Sequence, residues 1–181
     1  MRIISGKFRG KRLEFVSDAT TRPTTDRVKE NIFNVLVSMG VDFTRARVLV
    51  PFAGSGQMGL ECLSRGAKSI TFNDKDNLAR EIIHKNCASV GFAPHILSHD
   101  YMDALVRLKN QQFDLVFLDP PFAHVQAPIL ASKFLLENNM LSKNAIIVVE
   151  TESPNLQFDP QFIVRQKHYG RAVIYFLTGV K

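Results

Sequence analysis

The 181-residue sequence contains only two cysteines, Cys62 and Cys87, and no cysteines or histidines with the spacing of metal ligands. These absences argue against a disulfide framework and a metal site, and we expect both thiols to be small buried side chains. No apolar run approaches the roughly 20 residues of a membrane helix, and the N-terminus lacks the apolar core of a signal peptide. We therefore expect a cytoplasmic protein with no membrane partner.

Acidic residues are absent from residues 1–12, although the whole chain has 23 Lys and Arg against 17 Asp and Glu, a net charge of +6. The basic residues of this stretch are Arg2, Lys7, Arg9, Lys11 and Arg12. A basic cluster at one end of a chain is an electrostatic footprint for a polyanion. A solvated basic tail fits the charge equally well, so charge favours a nucleic-acid partner without deciding it.

The length fits one domain, residues 1–181, in which we distinguish two parts. Residues 1–40 are predicted to form a basic N-terminal extension, and residues 41–181 a catalytic core. Two short strands, 2–5 and 11–16, predict a β-hairpin within the extension. A polar turn over 20–25 then leads into a helix from about Thr25 to Met39, whose apolar residues recur on one face.

Strands and helices alternate after residue 46. Strands are predicted over 47–52, 69–74, 95–97, 113–119 and 145–150, and helices at about 57–65, 77–90 and 128–138. Continuous apolar strands are typical of a parallel sheet that is covered by helices on both faces. The segments 162–169 and 171–177, joined tightly at Gly170, predict an antiparallel pair that closes the sheet. The fold class is therefore α/β, a Rossmann-like, mostly parallel seven-stranded sheet with an antiparallel C-terminal hairpin.

A glycine-rich turn, FAGSGQMG over residues 52–59, follows the first strand of the core. Gly54, Gly56 and Gly59 match the G-x-G-x-x-G pattern, which lets a ligand approach the main chain closely. Asp74 lies about 20 residues further on, where a carboxylate can accept hydrogen bonds from ribose hydroxyls. The combination indicates a cofactor containing adenosine and leaves a nicotinamide enzyme and a methyltransferase both open. Asp100 either accepts from the adenine amino group or caps the next helix.

The tetrapeptide Asp119-Pro120-Pro121-Phe122 follows the fourth strand of the core, at the edge where open α/β sheets bind ligands. An exocyclic amine on a base is a poor nucleophile because its lone pair is delocalised into the ring. Asp119 and the Pro120 carbonyl can accept its two N–H groups in a preorganised turn, and Phe122 can stack on the base. A capped polar turn is the ordinary alternative. Together with the glycine-rich turn and Asp74, the tetrapeptide favours methylation of an amino group over nicotinamide chemistry.

These motifs make the sequence resemble, over essentially its whole length, the RsmD-type bacterial small-subunit rRNA guanine-N2 methyltransferases. The shared segments are residues 2–6 (RIISG), 21–30 (TRPTTDRVKE), 33–34 (FN), 52–56 (FAGSG), 59–61 (GLE), 64–67 (SRGA), 119–122 (DPPF), 149–150 (VE) and 169–170 (YG). Thr-Arg-Pro-Thr is the most specific of them, since generic methyltransferases lack it.

The resemblance implies S-adenosylmethionine as cofactor and N2 of one guanine in small-subunit (16S) rRNA as target, within an assembled particle. It implies a catalytic turn at Asp119, Pro120, Pro121 and Phe122. It implies cofactor contacts from Phe52, Ala53, Gly54, Ser55, Gly56, Asp74 and Asp100. The expected RNA contacts are Arg2, Lys7, Arg9, Lys11, Arg22 and Arg27. For Arg22, an ion pair with Asp26 or Glu30 is the alternative. We expect a monomer.

One position departs from the family pattern. Family members usually have Asp before the Phe-Ala-Gly-Ser-Gly run, where this chain has Pro51. That acid is expected to help hold the methionine end of the cofactor, so its absence keeps open a non-enzymatic RNA-binding module. A DNA methyltransferase acting on adenine N6 or cytosine N4 shares the logic of the tetrapeptide, but 181 residues leave no room for a separate target-recognition domain.

Overall fold

The computed structural model describes residues 1–15, 25–121 and 124–179. Its helices and strands are, in chain order, α1 (Asp26–Ser38), β1 (Arg47–Val50), α2 (Gln57–Ser64), β2 (Ser69–Asn73), α3 (Asn77–Ala88), β3 (His95–Leu97), α4 (Tyr101–Arg107), β4 (Phe113–Leu118), α5 (Ala127–Glu137), β5 (Leu141–Thr151), β6 (Phe162–Tyr169) and β7 (Ala172–Gly179). A short 3-10 turn, Phe43–Arg45, precedes β1. Among the described residues, no helix is both long enough and apolar enough to cross a membrane.

The seven strands form one sheet in the order β3-β2-β1-β4-β5-β7-β6. The first five run parallel to one another, and β7 lies antiparallel between β5 and β6. The predicted α/β class, the mostly parallel seven-stranded sheet and the antiparallel C-terminal hairpin are therefore confirmed. Since β1 and β4 are neighbours, the segments that follow them leave the same edge of the sheet side by side.

Each face of the sheet packs against its own set of helices because the central strands are apolar on both sides. One face, with Val48 and Phe117, packs against α1, α2, α3 and the N-terminal residues. The other face, with Leu49 and Val116, packs against α4 and α5. Both cysteines lie buried in the first of these cores, as expected.

The N-terminal β-hairpin predicted for residues 2–5 and 11–16 is wrong. Within residues 1–15, which we call the N-terminal segment, a single antiparallel bridge joins Arg2 to Arg12. The Ile3 N–H donates across the segment to the Lys11 carbonyl at 2.9 Å, but the pairing does not continue. The reason is that the next two N–H groups, of Ile4 and Ser5, donate to the Glu61 carboxylate of α2, at 2.7 and 3.0 Å. The segment therefore lies on helix α2 instead of forming a regular two-stranded ladder.

Other local predictions met different outcomes. Helix α1 begins where expected, with the Thr25 hydroxyl accepting from the Val28 N–H at 3.3 Å. The predicted polar turn over 20–25 falls almost wholly within residues 16–24, which lie outside the described residues. Helix α4 was anticipated only through the alternative interpretation of Asp100 as a helix cap.

Helix α2 approaches β2 closely because it has no side chain at Gly59. A Cβ built there would lie 2.3 Å from Cε1 of Phe72 and 2.9 Å from Cγ2 of Ile70. Phe72 is fully buried, and a side chain in a close-packed interior cannot shift without displacing its neighbours. The spacing between the glycine-rich turn and the sheet therefore depends on this glycine.

We predict that Gly59→Ala destabilises the protein, which urea denaturation would measure. Overpacking costs about 1–3 kcal/mol, which exceeds the gain of up to about 1 kcal/mol from placing alanine in a helix. Gly179→Ala is the control, because a Cβ there meets nothing within 4 Å. A Gly59→Ala variant as stable as this control would show that the close packing of α2 on β2 is not required.

Candidate cofactor and substrate site

The glycine-rich turn between β1 and α2 depends on backbone conformations that favour glycine. Gly54 has φ 52° and Gly56 has φ 77°, both in the left-handed region, and Gly56 is the N-cap of α2. The Ala53 N–H donates to the Asn73 carbonyl of β2 at 3.0 Å. A Cβ built on Gly54 would meet nothing within 4 Å, so the turn leaves open space above its main chain.

Asp74 lies beside this turn, as its position after β2 predicts. One carboxylate oxygen accepts from the Gly54 N–H at 2.8 Å, and the other accepts from the Asp76 N–H at 3.0 Å. Each carboxylate oxygen has two lone pairs, so both can still accept a further hydrogen bond. Asp74 thus holds the turn in place and can still accept hydrogen bonds from a ligand.

The other residues predicted to contact the cofactor lie within the turn, except for Asp100. The Phe52 ring packs on Tyr101 of α4, with centroids 4.9 Å apart. Ala53 and Ser55 are buried. Asp100 caps α4, accepting from the Met102 N–H at 3.1 Å, in agreement with the capping alternative. Its contact with adenine stays a prediction.

Asp119 follows β4 at the same edge of the sheet. Leu118 and Val149 are paired in register, so Asp119, just after β4, and Glu150, still within β5, lie at the same level of the sheet. Asp119 is an exposed residue, and Pro120 is buried. Desolvation by the surrounding protein, and then the nearby Glu150 carboxylate, raise the pKa of Asp119 well above its ordinary value. Solvent access to the carboxyl moderates this rise.

The remainder of the tetrapeptide is partly described. Pro121 is exposed, and its carbonyl accepts from the His124 N–H at 2.8 Å, which closes a turn just beyond the site. Phe122, the proposed stacking residue, lies outside the described residues. Sequence reasoning had quoted Glu150 only as part of a shared segment, and its position beside Asp119 emerges from the strand register.

The family described as Conserved hypothetical protein 95 matches residues 1–178. The chain belongs to this family. Haemophilus influenzae "Ribosomal RNA small subunit methyltransferase D" is 39% identical over 165 residues, covering 89% of this chain and 83% of the relative. The Escherichia coli protein of the same name is 37% identical over 158 residues, covering 86% and 76%. The solved structure of E. coli yhhF superposes with a TM-score of 0.84 at 31% identity, covering 99% and 97%. The RsmD-type family and the Rossmann-like fold predicted from the motifs are confirmed.

Pro51, where this RsmD-family chain departs from the usual Asp, ends β1 without losing a ladder hydrogen bond. The strand finishes at Val50, and the Pro51 carbonyl accepts from the Asn73 side-chain amide at 2.9 Å. The same NH₂ group donates to the His99 carbonyl at 3.1 Å, and its carbonyl oxygen accepts from the His99 N–H at 3.1 Å. Asn73 is only 1% exposed. A buried amide that sequence reasoning missed therefore joins β2 to the segments at Pro51 and His99, at the edge of the sheet that carries the glycine-rich turn.

The described residues predicted to contact RNA lie in the N-terminal segment and in α1. Lys7, Arg9 and Lys11 are exposed. The Lys7 N–H donates to the Ser64 carbonyl at 2.7 Å, at the far end of α2 from the glycine-rich turn, and an eight-residue helix is about 12 Å long. The Lys11 carbonyl instead accepts from the Ile3 N–H at 2.9 Å, beside Arg2. Arg2 pairs with Asp26, Nε to Oδ2, at 3.2 Å.

The remaining two predicted RNA contacts are on or before α1. Arg27 is exposed in the first turn of α1. Arg22 lies outside the described residues, so neither its contact with RNA nor its alternative ion pair is tested. RNA binding by all of these residues stays a prediction.

We predict that Asn73→Ala destabilises the protein by about 1–3 kcal/mol, because the buried Pro51 carbonyl and the half-buried main-chain groups of His99 lose their partner. Chemical denaturation would measure the loss. Asn77→Ala is the matched control, since the Asn77 side chain is exposed and bonds only to the side chains of Glu81 and Arg80. Equal stability of the two variants would contradict the bridging role of Asn73.

Proposed function

We propose that this protein is an S-adenosylmethionine-dependent methyltransferase that methylates the exocyclic N2 amino group of one guanine in small-subunit (16S) rRNA, within an assembled particle. The observation that carries the proposal is the position of Asp119, one strand away from the glycine-rich turn at the same edge of the sheet. Family membership and the small-subunit rRNA names of the relatives support the substrate class.

The residues around the glycine-rich turn fit the cofactor. The open space above Gly54 can take its adenosine, and Asp74 can accept from the ribose hydroxyls. The side-chain oxygen of Gln57, at the start of α2, is buried without a hydrogen-bond partner among the described residues. A buried acceptor of this kind suits the ammonium group at the methionine end of the cofactor, where the usual family Asp is replaced by Pro51. When bound, the cofactor supplies an electrophilic methyl group.

Asp119 is proposed to act on the nucleophile. Its carboxylate accepts one N–H of the guanine amine, and the Pro120 carbonyl accepts the other, so the nitrogen lone pair points away from both. The buried Pro120 limits movement of the turn, which keeps these acceptors oriented before the base arrives. Once the nitrogen carries the methyl group it must lose a proton, and the raised pKa of Asp119 makes that carboxylate a suitable acceptor.

The proposal predicts transfer of labelled methyl from S-adenosylmethionine to unmodified small ribosomal subunits, with N2-methylguanosine as the digestion product. Naked rRNA and duplex DNA serve as parallel acceptors. Asp119→Asn should reduce the rate by at least about 100-fold, since it removes the negative charge and the proton acceptor, while S-adenosylmethionine affinity stays within about twofold in calorimetry. Label in DNA would favour an amino-methyltransferase of DNA. No label in any acceptor, or full activity of the Asp119→Asn variant, would overturn the proposal.

Activity should fall on the acid side as Asp119 becomes protonated, with a midpoint above the ordinary aspartate value of about 3.9. Glu150→Gln removes the neighbouring negative charge, so the midpoint should move to lower pH; Glu152→Gln, just beyond β5, is the control. An unchanged profile in Glu150→Gln would contradict the coupling.

The raised pKa of Asp119 also affects stability. Folded Asp119 holds its proton more tightly than unfolded Asp119, so its ionisation lowers the free energy of unfolding as pH rises from the ordinary aspartate pKa to the pKa of the folded protein. Asp119→Asn should therefore be at least as stable as the wild type at neutral pH.

A further inference from the structure

Both ends of the N-terminal segment meet the glycine-rich turn at Ser55. The Leu13 N–H donates to the Met1 carbonyl at 3.2 Å, which holds the two ends of the segment side by side. The Ser55 hydroxyl lies 3.5 Å from the Met1 sulfur. At the other end of the segment, the side chain of Asn86 bonds both to Glu14 and to the Ser55 carbonyl.

Asn86 of α3 makes all its side-chain hydrogen bonds to main-chain groups of these two segments. Its carbonyl oxygen accepts from the Glu14 N–H at 2.8 Å. Its NH₂ group donates to the Glu14 carbonyl and to the Ser55 carbonyl, each at 2.9 Å. Asn86 is 2% exposed, so water does not compete for these bonds. Only a planar amide of this length offers both a donor pair and an acceptor, which an aspartate in the same position would not.

The middle of the N-terminal segment is fixed separately. Glu61 of α2, fully buried, accepts from the Ile4 and Ser5 N–H groups, and the Ser64 hydroxyl accepts from the Phe8 N–H at 2.9 Å. The buried Lys29 of α1 donates to the Arg2 carbonyl. These contacts lie on α1 and on the second half of α2, whereas Ser55 is the residue of the turn itself that bonds to the segment.

The exposed residues Arg2 and Arg12 lie at these two ends and face each other across the single bridge. Each is a near neighbour in the chain of a residue that is linked to Ser55: Arg2 follows Met1, and Arg12 precedes Glu14 by two residues.

We propose that Asn86 is a positioning residue that couples the glycine-rich turn to the N-terminal segment, so that cofactor binding further restrains residues 1–15, which α1 and α2 already hold. The inference rests on the proposed function for the identity of the cofactor. Thermodynamic linkage makes the coupling reciprocal: a change in the N-terminal segment must alter affinity at the turn by the same factor that the cofactor alters the order of the segment.

The test uses the full chain and S-adenosylmethionine as the ligand. Glu14→Pro deletes the one main-chain N–H that donates to Asn86, at a residue that does not touch the turn. Glu14→Ala is the matched control, because it keeps that N–H and removes only an exposed side chain whose ion pair with Lys85, at 3.9 Å, contributes little.

A second pair of variants tests the bridge itself. Asn86→Ala removes the amide that joins Glu14 to Ser55, and Asn77→Ala is its control on the same helix. Thermal unfolding checks that each variant is folded.

We expect the dissociation constant measured by calorimetry to rise about tenfold in Glu14→Pro and in Asn86→Ala, and to stay within about twofold in both controls. We also expect the cofactor to slow amide hydrogen exchange in residues 1–15 of the wild type and of the controls, but not of the two test variants. A merely structural role of Asn86 would lower stability without removing this ligand-dependent protection. If Asn86→Ala does not fold, Glu14→Pro alone decides.

The outcomes separate this inference from the proposed function. Wild-type protein that binds no S-adenosylmethionine would overturn the proposed function and the inference with it. Wild-type protein that binds the cofactor, but with unchanged exchange in residues 1–15 and equal affinity in Glu14→Pro and Glu14→Ala, would overturn the inference alone. Methyl transfer to RNA is not needed for either measurement.

Discussion

The hydrogen bonds that buried amide and carboxylate side chains make to loop main chains hold the candidate site together. Loops that leave the edge of a parallel sheet have main-chain groups that no neighbouring strand can satisfy, and burying them unpaired is costly. Here Asn73, Asn86, Asp74 and Glu61 supply the missing partners. Each such bond contributes about 1 kcal/mol net, yet removing one partner costs more because the other stays buried. The hydrophobic core drives folding, but it is not directional and could not specify these loop positions.

This arrangement explains how the chain accommodates Pro51. A proline in the middle of a strand would remove a ladder bond, but β1 has already ended, and the Pro51 carbonyl is held by Asn73. The shape of the turn therefore does not depend on the usual acidic side chain. What the substitution removes is a negative charge beside the turn, and the side-chain oxygen of Gln57, which has no hydrogen-bond partner among the described residues, is the neutral acceptor proposed for the cofactor.

The parts of this structure that the sequence predicted are those with local signals. Apolar runs marked the sheet strands, Thr25 marked the start of α1, and the glycine pattern marked the turn before α2. The N-terminal hairpin was predicted wrongly because alternating apolar residues and two glycines look the same whether a segment pairs with itself or lies on a helix. The deciding partners, Glu61 and Ser64, lie 56 or 57 residues away along the chain. Asn73 and Asn86 were missed for the same reason, since a lone asparagine carries no local sign of its partners.

The contrast between Asn73 and Asp119 shows how stability and reactivity are divided at this edge of the sheet. Asn73 is neutral, buried and bonded at both ends of its amide, so it fixes the main chain without a charge to desolvate. Asp119 stands two strands further along, where desolvation and then a second carboxylate disfavour its ionised form. Such a like-charge pair weakens the folded state and would be hard to account for as a structural feature alone. It is consistent with the proposed role of Asp119 in accepting a proton, next to loop main-chain groups whose hydrogen bonds Asn73 and Asp74 already satisfy.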